Sequence, residues 1–289
     1  MKSWAKKTAA AAGGLVGATA VAVAVGTLLW NRATERTVER LLTPAPDAVP
    51  QVFSADELAT LPASVARYFR FALTPGQPLI RSARTSQTGE FNAGNGWSPF
   101  TATHHVHVTP PGFVWDARIY MTPVLPVRIR DSYVAGHGAM QGKFAGVVPV
   151  VNAVNRPDID SGALLRYLAE AVWYPTALLP SQGVRWSAID EHTALATLTD
   201  GATTVSLQFS FGEQGEIVRS YAPARFRDVN GQGVPTPWGG TYQQYIRVAG
   251  MMVPQSGDVA WFLPEGRSPY WRGTLQTVYE FANGSRAPR

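Results

Sequence analysis

SGALLRYLAEAVWYPTALLPSQGVRW, residues 161–186, is the stretch of this 289-residue chain in which apolar side chains recur with a helical period, amid segments that alternate like strands. On a 3.6-residue wheel Leu164, Leu165, Leu168, Ala171 and Val172 fall within one stripe, the width expected of a helix lying on a core. Asp160 or Ser161 is suited to cap its start, Asp158 and Asp160 suit the positive end of its dipole, and Pro175 ends the pattern. Opposite the leucines stand Arg166, Glu170 and Trp173, spaced i, i+4 and i+7, a charge pair beside an indole over which the Arg166 stem can lie. Two specialised faces predict a helix sandwiched between other elements.

Outward from that helix the period is two. In FTATHHVHV, Phe100, Ala102, His104, Val106 and Val108 share one face while Thr101, Thr103, His105 and His107 share the other. Phe113, Trp115, Ala117, Ile119 and Met121 alternate with Val114, Asp116, Arg118 and Tyr120. Asp131 sits on the apolar side of the next strand, between Ile129 and Tyr133, and needs a partner if buried. After the helix, Val205, Leu207, Phe209 and Phe211 alternate with polar residues, and Asp190-Glu191, Asp200-Gly201 and Gln214-Gly215 mark hairpin turns. A Gly- and Pro-rich loop is expected over 228–240, with further strands over 241–248, 259–263 and 270–281. The pattern predicts an α+β, β-dominated fold: one large curved antiparallel sheet, a half-barrel or open barrel, covered by a helix. An N-terminal transmembrane helix and a short helix pair precede it.

Charge is informative once it is located. Lys2, Lys6 and Lys7 supply three of the net +5, leaving about +2 after residue 30, and the arginines form no basic run, which excludes a phosphate-tracking stripe and hence nucleic acid. The absence of cysteine removes disulfides, thiolate metal sites and a Cys nucleophile together.

Residues 8–30 carry no charge, and at 1.5 Å per helical residue they reach about 35 Å, enough for a bilayer core of about 30 Å. The run continues to Trp30, suited to a membrane interface, so an uncleaved anchor is expected. The lysines of the tail predict a single-pass protein of the cell membrane with its main domain outside the cytoplasm. Four segments follow: 1–30 tail and anchor, 31–53 stalk and Pro-rich linker, 54–284 a single β-rich domain, and 285–289 a frayed tail. Within the domain Ser54 and Glu57 read as a capping box, ahead of an apolar face from Leu58 to Leu73 that kinks at Pro62.

Among chemistry-bearing residues, His105, His107 and His137 lack a matching carboxylate, and no metal or other cofactor is expected. G-x-S-x-G, P-loop and dinucleotide signatures are missing. The suggestive set is acids among indoles. Glu170, Asp131 and Asp116 are the candidate catalytic carboxylates, because burial near rings raises a carboxyl pKa and two such groups can act as acid and base on a substrate such as a sugar. The alternative is structural, with Arg118 and Arg166 neutralising the acids. Trp115, Arg118, Arg166, Glu170, Trp173 and Tyr174 are the candidate ligand-binding residues, on a concave face suited to an apolar or lipid-like molecule.

LPASVARYFRFAL, PGFVWDARIYM, VRIRDSYVAGHGAM and RYLAEAVWYPTALLPSQGVRW together resemble a family of bacterial membrane-anchored proteins catalogued as a domain of unknown function, over roughly residues 60–280. The architecture more loosely resembles the half-barrel of bacterial lipoprotein carriers. The expected function is non-enzymatic binding of an apolar or lipid-like ligand at the cell envelope. A carboxylate-dependent hydrolase and an envelope scaffold binding protein through 228–240 are the alternatives.

Overall fold

The computed structural model describes residues 2–43, 52–122 and 124–287, with side chains from residue 17 onward. Alternating segments become strands throughout: β1 Ile80–Asn92, β2 Trp97–His107, β3 Gly112–Ile119, β4 Val127–Val134, β5 His137–Phe144 and β6 Val148–Val154. After the central helix α3, Pro157–Glu170, come β7 Arg185–Ala188, β8 Thr193–Asp200, β9 Thr203–Phe211, β10 Ile217–Val229, β11 Gln232–Val248, β12 Met251–Leu263 and β13 Gly266–Phe281. All pair antiparallel in one open sheet of order β6-β5-β4-β3-β2-β1-β13-β12-β11-β10-β9-β8-β7.

Strands consecutive in sequence pair with one another, save β6 and β7 at the two edges, and the two halves join at one seam, where β1 pairs with β13 in register from Ser82 opposite Glu280 to Phe91 opposite Trp271. The two edge strands, β6 and β7, are joined by α3 and three single helical turns at Ala171–Trp173, Pro175–Leu178 and Pro180–Gln182. This connection crosses the sheet, and α3 touches β3, β4 and β5 on one side and β9, β10 and β11 on the other, so the sheet curves around it as a trough. Leu164, Leu168, Val172 and Leu178 are completely buried; each such side chain contributes about 1.5–3 kcal/mol.

α3 begins four residues before the expected Ser161. Pro157 opens it, since a first-turn residue has no intrahelical use for an N–H and proline's φ is already helical. Asp160 instead accepts from the Gly138 N–H at 2.7 Å, which ties α3 to the start of β5. The loop expected over 228–240 is a hairpin: Asn230 and Gly231, at φ 54° and 82°, turn β10 into β11 in two residues. The expected helix pair is a turn at Ala55–Leu58 followed by α2, Ala63–Ala72, which buries Val65, Tyr68, Phe69 and Ala72. Ser54 caps the first turn by accepting from the Asp56 N–H rather than from Glu57.

Gly89, Gly273 and Gly257 face one another across β1, β13 and β12. A Cβ on Gly89 would lie 2.1 Å from the Arg272 carbonyl oxygen, one on Gly273 2.9 Å from the Thr88 carbonyl oxygen and one on Gly257 2.6 Å from the Thr241 carbonyl oxygen. Only glycine permits this approach. The indoles of Trp173 and Trp271, 6.2 Å apart, pack over the hollow so formed.

α1, Lys2–Leu42, continues as one helix through the apolar run. From Gly26 onward it lies on the outer face of the sheet: Gly26 meets Gly146, Trp30 and Thr37 are buried, and Leu41 reaches Gly112. The stretch 31–42, expected as a stalk, is therefore docked, and 44–51 of the expected linker lies outside the described residues. Trp30, expected at a lipid interface, is covered instead. Its Nε1–H donates to Asp116 at 2.7 Å, and the guanidinium groups of Arg128 and Arg130 lie 5.7 and 4.9 Å from its ring. Among the described residues no helix is long and apolar enough to cross a membrane; the side chains of 8–16, the first part of the run expected to do so, lie outside them.

Candidate functional site

Strand parity divides the acids and bases between the two faces of the sheet. In β3, Phe113, Trp115 and Ala117 point into the trough with Asp131, which lies opposite Trp115 on β4. Asp116 and Arg118 point outward, where Asp116 pairs with Arg128 at 3.2 Å beneath α1 and Arg118 is exposed. The sheet thus separates Asp116 and Arg118 from Glu170, and of the three candidate carboxylates only Asp131 and Glu170 come together.

They meet on Arg166. Its Nε–H donates to Glu170 at 2.8 Å and one terminal N–H to Asp131 at 2.7 Å, while the guanidinium lies 4.9 Å from the Trp115 ring and 5.1 Å from that of Phe113. The stem expected over Trp173 therefore lies over different rings. His104, on the trough face of β2, brings Nε2 to 3.4 Å from the second Glu170 oxygen, and neither atom has a hydrogen-bond partner. Trp115 Nε1–H donates to Gln87 at 2.8 Å, completing a polar cluster walled by rings.

Burial governs the protonation of this cluster. It pushes the Glu170 carboxyl up, against the downward pull of the Arg166 charge. It pushes His104 well below the ordinary imidazole value, and Arg166 adds to that shift. For Arg166 burial opposes the charge, but Glu170 and Asp131 outweigh it and the guanidinium is held ionised. The result is a buried ion pair sharing one cation between two acids, with a neutral histidine beside it.

Trp173 packs against Tyr242 at 5.9 Å and Trp271 at 6.2 Å, and Tyr174 donates to the Tyr167 carbonyl at 2.9 Å; both are deep in the core. Beyond α3 the trough carries a row of rings absent from the sequence-based candidates. Phe91 stands edge-on to Tyr270 at 6.0 Å, Tyr270 stacks on Trp261 at 5.9 Å, and Trp238 donates from Nε1 to the Tyr270 hydroxyl at 2.9 Å. The Arg225 guanidinium lies 4.7 Å from the Trp238 ring and 5.5 Å from that of Trp261, and its Nε–H donates to the Gly162 carbonyl of α3 at 3.2 Å. Phe91, Trp261 and Tyr270 are only half-buried. The wall can take an apolar chain along its rings, with a cation at one side.

Two hollows lie on the outer side of the sheet. One, of about 600 Å³, is lined by Arg36, Arg40, Arg130 and Gln141 between α1 and the strands; the other, of about 420 Å³, by Thr88, Glu90, Gln243, Asp258 and Arg272. Neither is lined by Arg166, Glu170 or Trp173. Among the described residues no group of His, Asp or Glu is placed to hold a metal ion, and His107 is engaged with the Pro110 carbonyl at 3.0 Å.

An open antiparallel sheet curved around one edge-to-edge helix, with a ringed trough, defines the class. Within it, the chain belongs to a family of unknown function, DUF6920, whose model matches residues 59–279, in keeping with the likeness expected over 60–280. No curated protein matches the chain. Solved structures similar to it include a LolA superfamily protein from Nitrosomonas europaea, 10% identical, covering 78% of this chain and 91% of that one at a TM-score of 0.37. A DUF1329 family protein from Desulfovibrio piger is 8% identical, covering 79% and 90% at a TM-score of 0.40. At this distance ligand and activity have to come from the chain's own residues.

Proposed function

We propose that this protein is a membrane-tethered, non-enzymatic domain that binds an apolar or lipid-like ligand along the wall of Phe91, Tyr270, Trp261 and Trp238. The observation that carries it is the row of half-buried rings Phe91, Tyr270 and Trp261 on the concave side of the sheet, backed by buried Trp238 with Arg225 over it, since rings only partly covered by their own chain are suited to alkyl groups. The space around α3 itself is taken by side chains, so the ligand lies on the wall rather than beneath the helix. Hydrolysis by Glu170 with Asp131 draws support from the raised Glu170 carboxyl; the Arg166 hydrogen bonds to both carboxylates weigh against it. Tethering rests on the charge-free run and on α1 passing through it unbroken. Residues 8–25, the charge-free part of α1 ahead of Gly26, span about 27 Å, and Lys2, Lys6 and Lys7 favour a cytoplasmic tail and an outer domain at the cell envelope.

The test is quenching of tryptophan emission in the full chain by a brominated fatty acid, together with native mass spectrometry for retained lipid. Binding is expected to weaken about tenfold in Trp261→Ala, from loss of roughly half the buried ring area. Quenching that Trp261→Ala leaves unchanged, with no lipid retained, refutes the wall as the site.

A further inference from the structure

Of the fifteen large apolar residues that stand exposed among the described residues, nine gather at one end of the fold. Four are on α1 between Val21 and Leu29. The others belong to the folded domain: Met121 and Val124 in the β3–β4 connection, Val147 in the β5–β6 turn, and Val148 and Val150 on edge strand β6. Register brings them together. Ile119 pairs with Val127, Val127 with Phe144 and Phe144 with Val148, so the β3–β4 connection and the β5–β6 turn lie side by side. Gly26 crosses at Gly146 in that turn, where a Cβ would come within 2.7 Å of the Gly146 carbonyl. The apolar half of α1 thus leaves the sheet through a collar of exposed valines.

Directly behind the collar is a row of cations. Arg118, Arg128 and Lys143 lie opposite one another across β3, β4 and β5, one residue pair inside the end of the sheet and on its outer face. Arg128 is engaged by Asp116, which leaves exposed Arg118 and half-exposed Lys143 facing out, with Arg32 exposed on the adjoining helix. Apolar side chains at the tip with basic ones a few ångströms behind match the order of layers in a lipid leaflet, acyl region first and phosphodiesters next. Val124, 81% exposed, has no folded-state reason to be apolar.

We propose that this collar is a second membrane contact of the domain: Met121, Val124, Val147, Val148 and Val150 enter the acyl region of the bilayer, and Arg118 and Lys143 sit at its phosphates. The proposal rests on α1 being the anchor and adds to it a fixed posture, the sheet standing on the bilayer by this end. It also reconciles lengths. Residues 8–25 of α1, ahead of the crossing at Gly26, span about 27 Å against a core of about 30 Å, and a collar sunk a few ångströms makes up the difference.

The chain has no cysteine, so single labels can be placed without background. Full-length Val21→Cys, Val124→Cys, Val148→Cys and Ala202→Cys, each carrying a polarity-sensitive fluorophore, are reconstituted into phosphatidylcholine and phosphatidylglycerol vesicles containing lipid spin-labelled near the top of its acyl chain. Ala202 is the control, exposed in the β8–β9 turn at the opposite end of the sheet, where Tyr133 bonds Asp200. Labels at 124 and 148 are expected to lose about half their emission and that at 202 almost none, as depth of insertion dictates. Quenching at 21 with none at 124 and 148 overturns the collar and leaves the anchor standing. No quenching at 21 overturns the anchor reading; if 124 and 148 are then quenched, the collar is upheld as the domain's own contact, and if they are not, both ideas fall.

Discussion

Replacing Arg166 with methionine removes the one cation that serves both Asp131 and Glu170, while the methionine stem keeps much of the contact with Trp115 and Phe113. Asp131, Glu170 and Arg166 are 5, 13 and 16% exposed, so solvent does little to compensate the carboxylates left behind. Breaking a buried pair in this way costs about 3–5 kcal/mol. For a domain of this size each kcal/mol moves the melting midpoint by about 2–4 °C, which gives a fall of about 6–20 °C. The assay is thermal and urea unfolding of the full chain in detergent, followed by the near-ultraviolet circular dichroism of the tryptophans. Removing the acids as well, in Arg166→Met with Asp131→Asn and Glu170→Gln, is expected to restore more than half of the loss, because the penalty lies in unpaired charge rather than in missing attraction. A midpoint within about 1 kcal/mol of the wild type for Arg166→Met, or a triple variant no better than the single one, refutes the cluster as a buried ion network.

His104 and Glu170 pull on the pH dependence of stability in opposite senses. His104 is held below the ordinary value near 6.5, so its contribution is present above about pH 6.5 and is lost as pH falls toward its folded-state value; Glu170 is held above the ordinary carboxyl value, so its contribution is present at low pH and is lost as pH rises. His104→Gln is therefore expected to flatten the decline in melting temperature between about pH 6.5 and 5, and a decline parallel to wild type refutes that assignment. Trp30→Ala loses the bond to Asp116 and the stacked arginines, at about 3 kcal/mol. Tryptic cleavage at Arg32 and Arg36 is expected to quicken roughly a hundredfold while the domain's melting temperature holds; unchanged cleavage means that α1 is not held by this ring.

The sheet and its helix were legible because both depend on local periodicity. The leucine stripe of α3 and the alternation in β2, β3 and β9 state which face is dry, and they place Asp131 on the trough side. The same parity put His104 among Phe100, Ala102 and Val106, so its burial was readable although its partner Glu170, 66 residues away, was not. Asp116 and Arg118 were grouped with Glu170 by residue type, whereas strand parity sends them to the other face. The ringed wall escaped because Pro235 and Pro237 gave 228–240 the look of a loop. Proline is tolerated there, since the pairing of β11 with β12 begins at Trp238 and that side of the strand is an edge before it. Trp30 escaped for a different reason: an indole after an apolar run suits a lipid interface equally well, and only the arginines on β4 distinguish the two.

The seam between β1 and β13 has a consequence for biogenesis. Strands β1 to β6 can zip together as they emerge from the ribosome, since each meets its neighbour within a short turn, but β1 keeps a bare flank until residue 281 has been made. For almost two hundred residues of synthesis a nascent chain carries an unpaired strand flanked by dry surface, a template for wrong pairing. Arg84, Ser86, Thr88 and Glu90 on the outward side of β1 keep that flank polar on one face while it waits for the last strand.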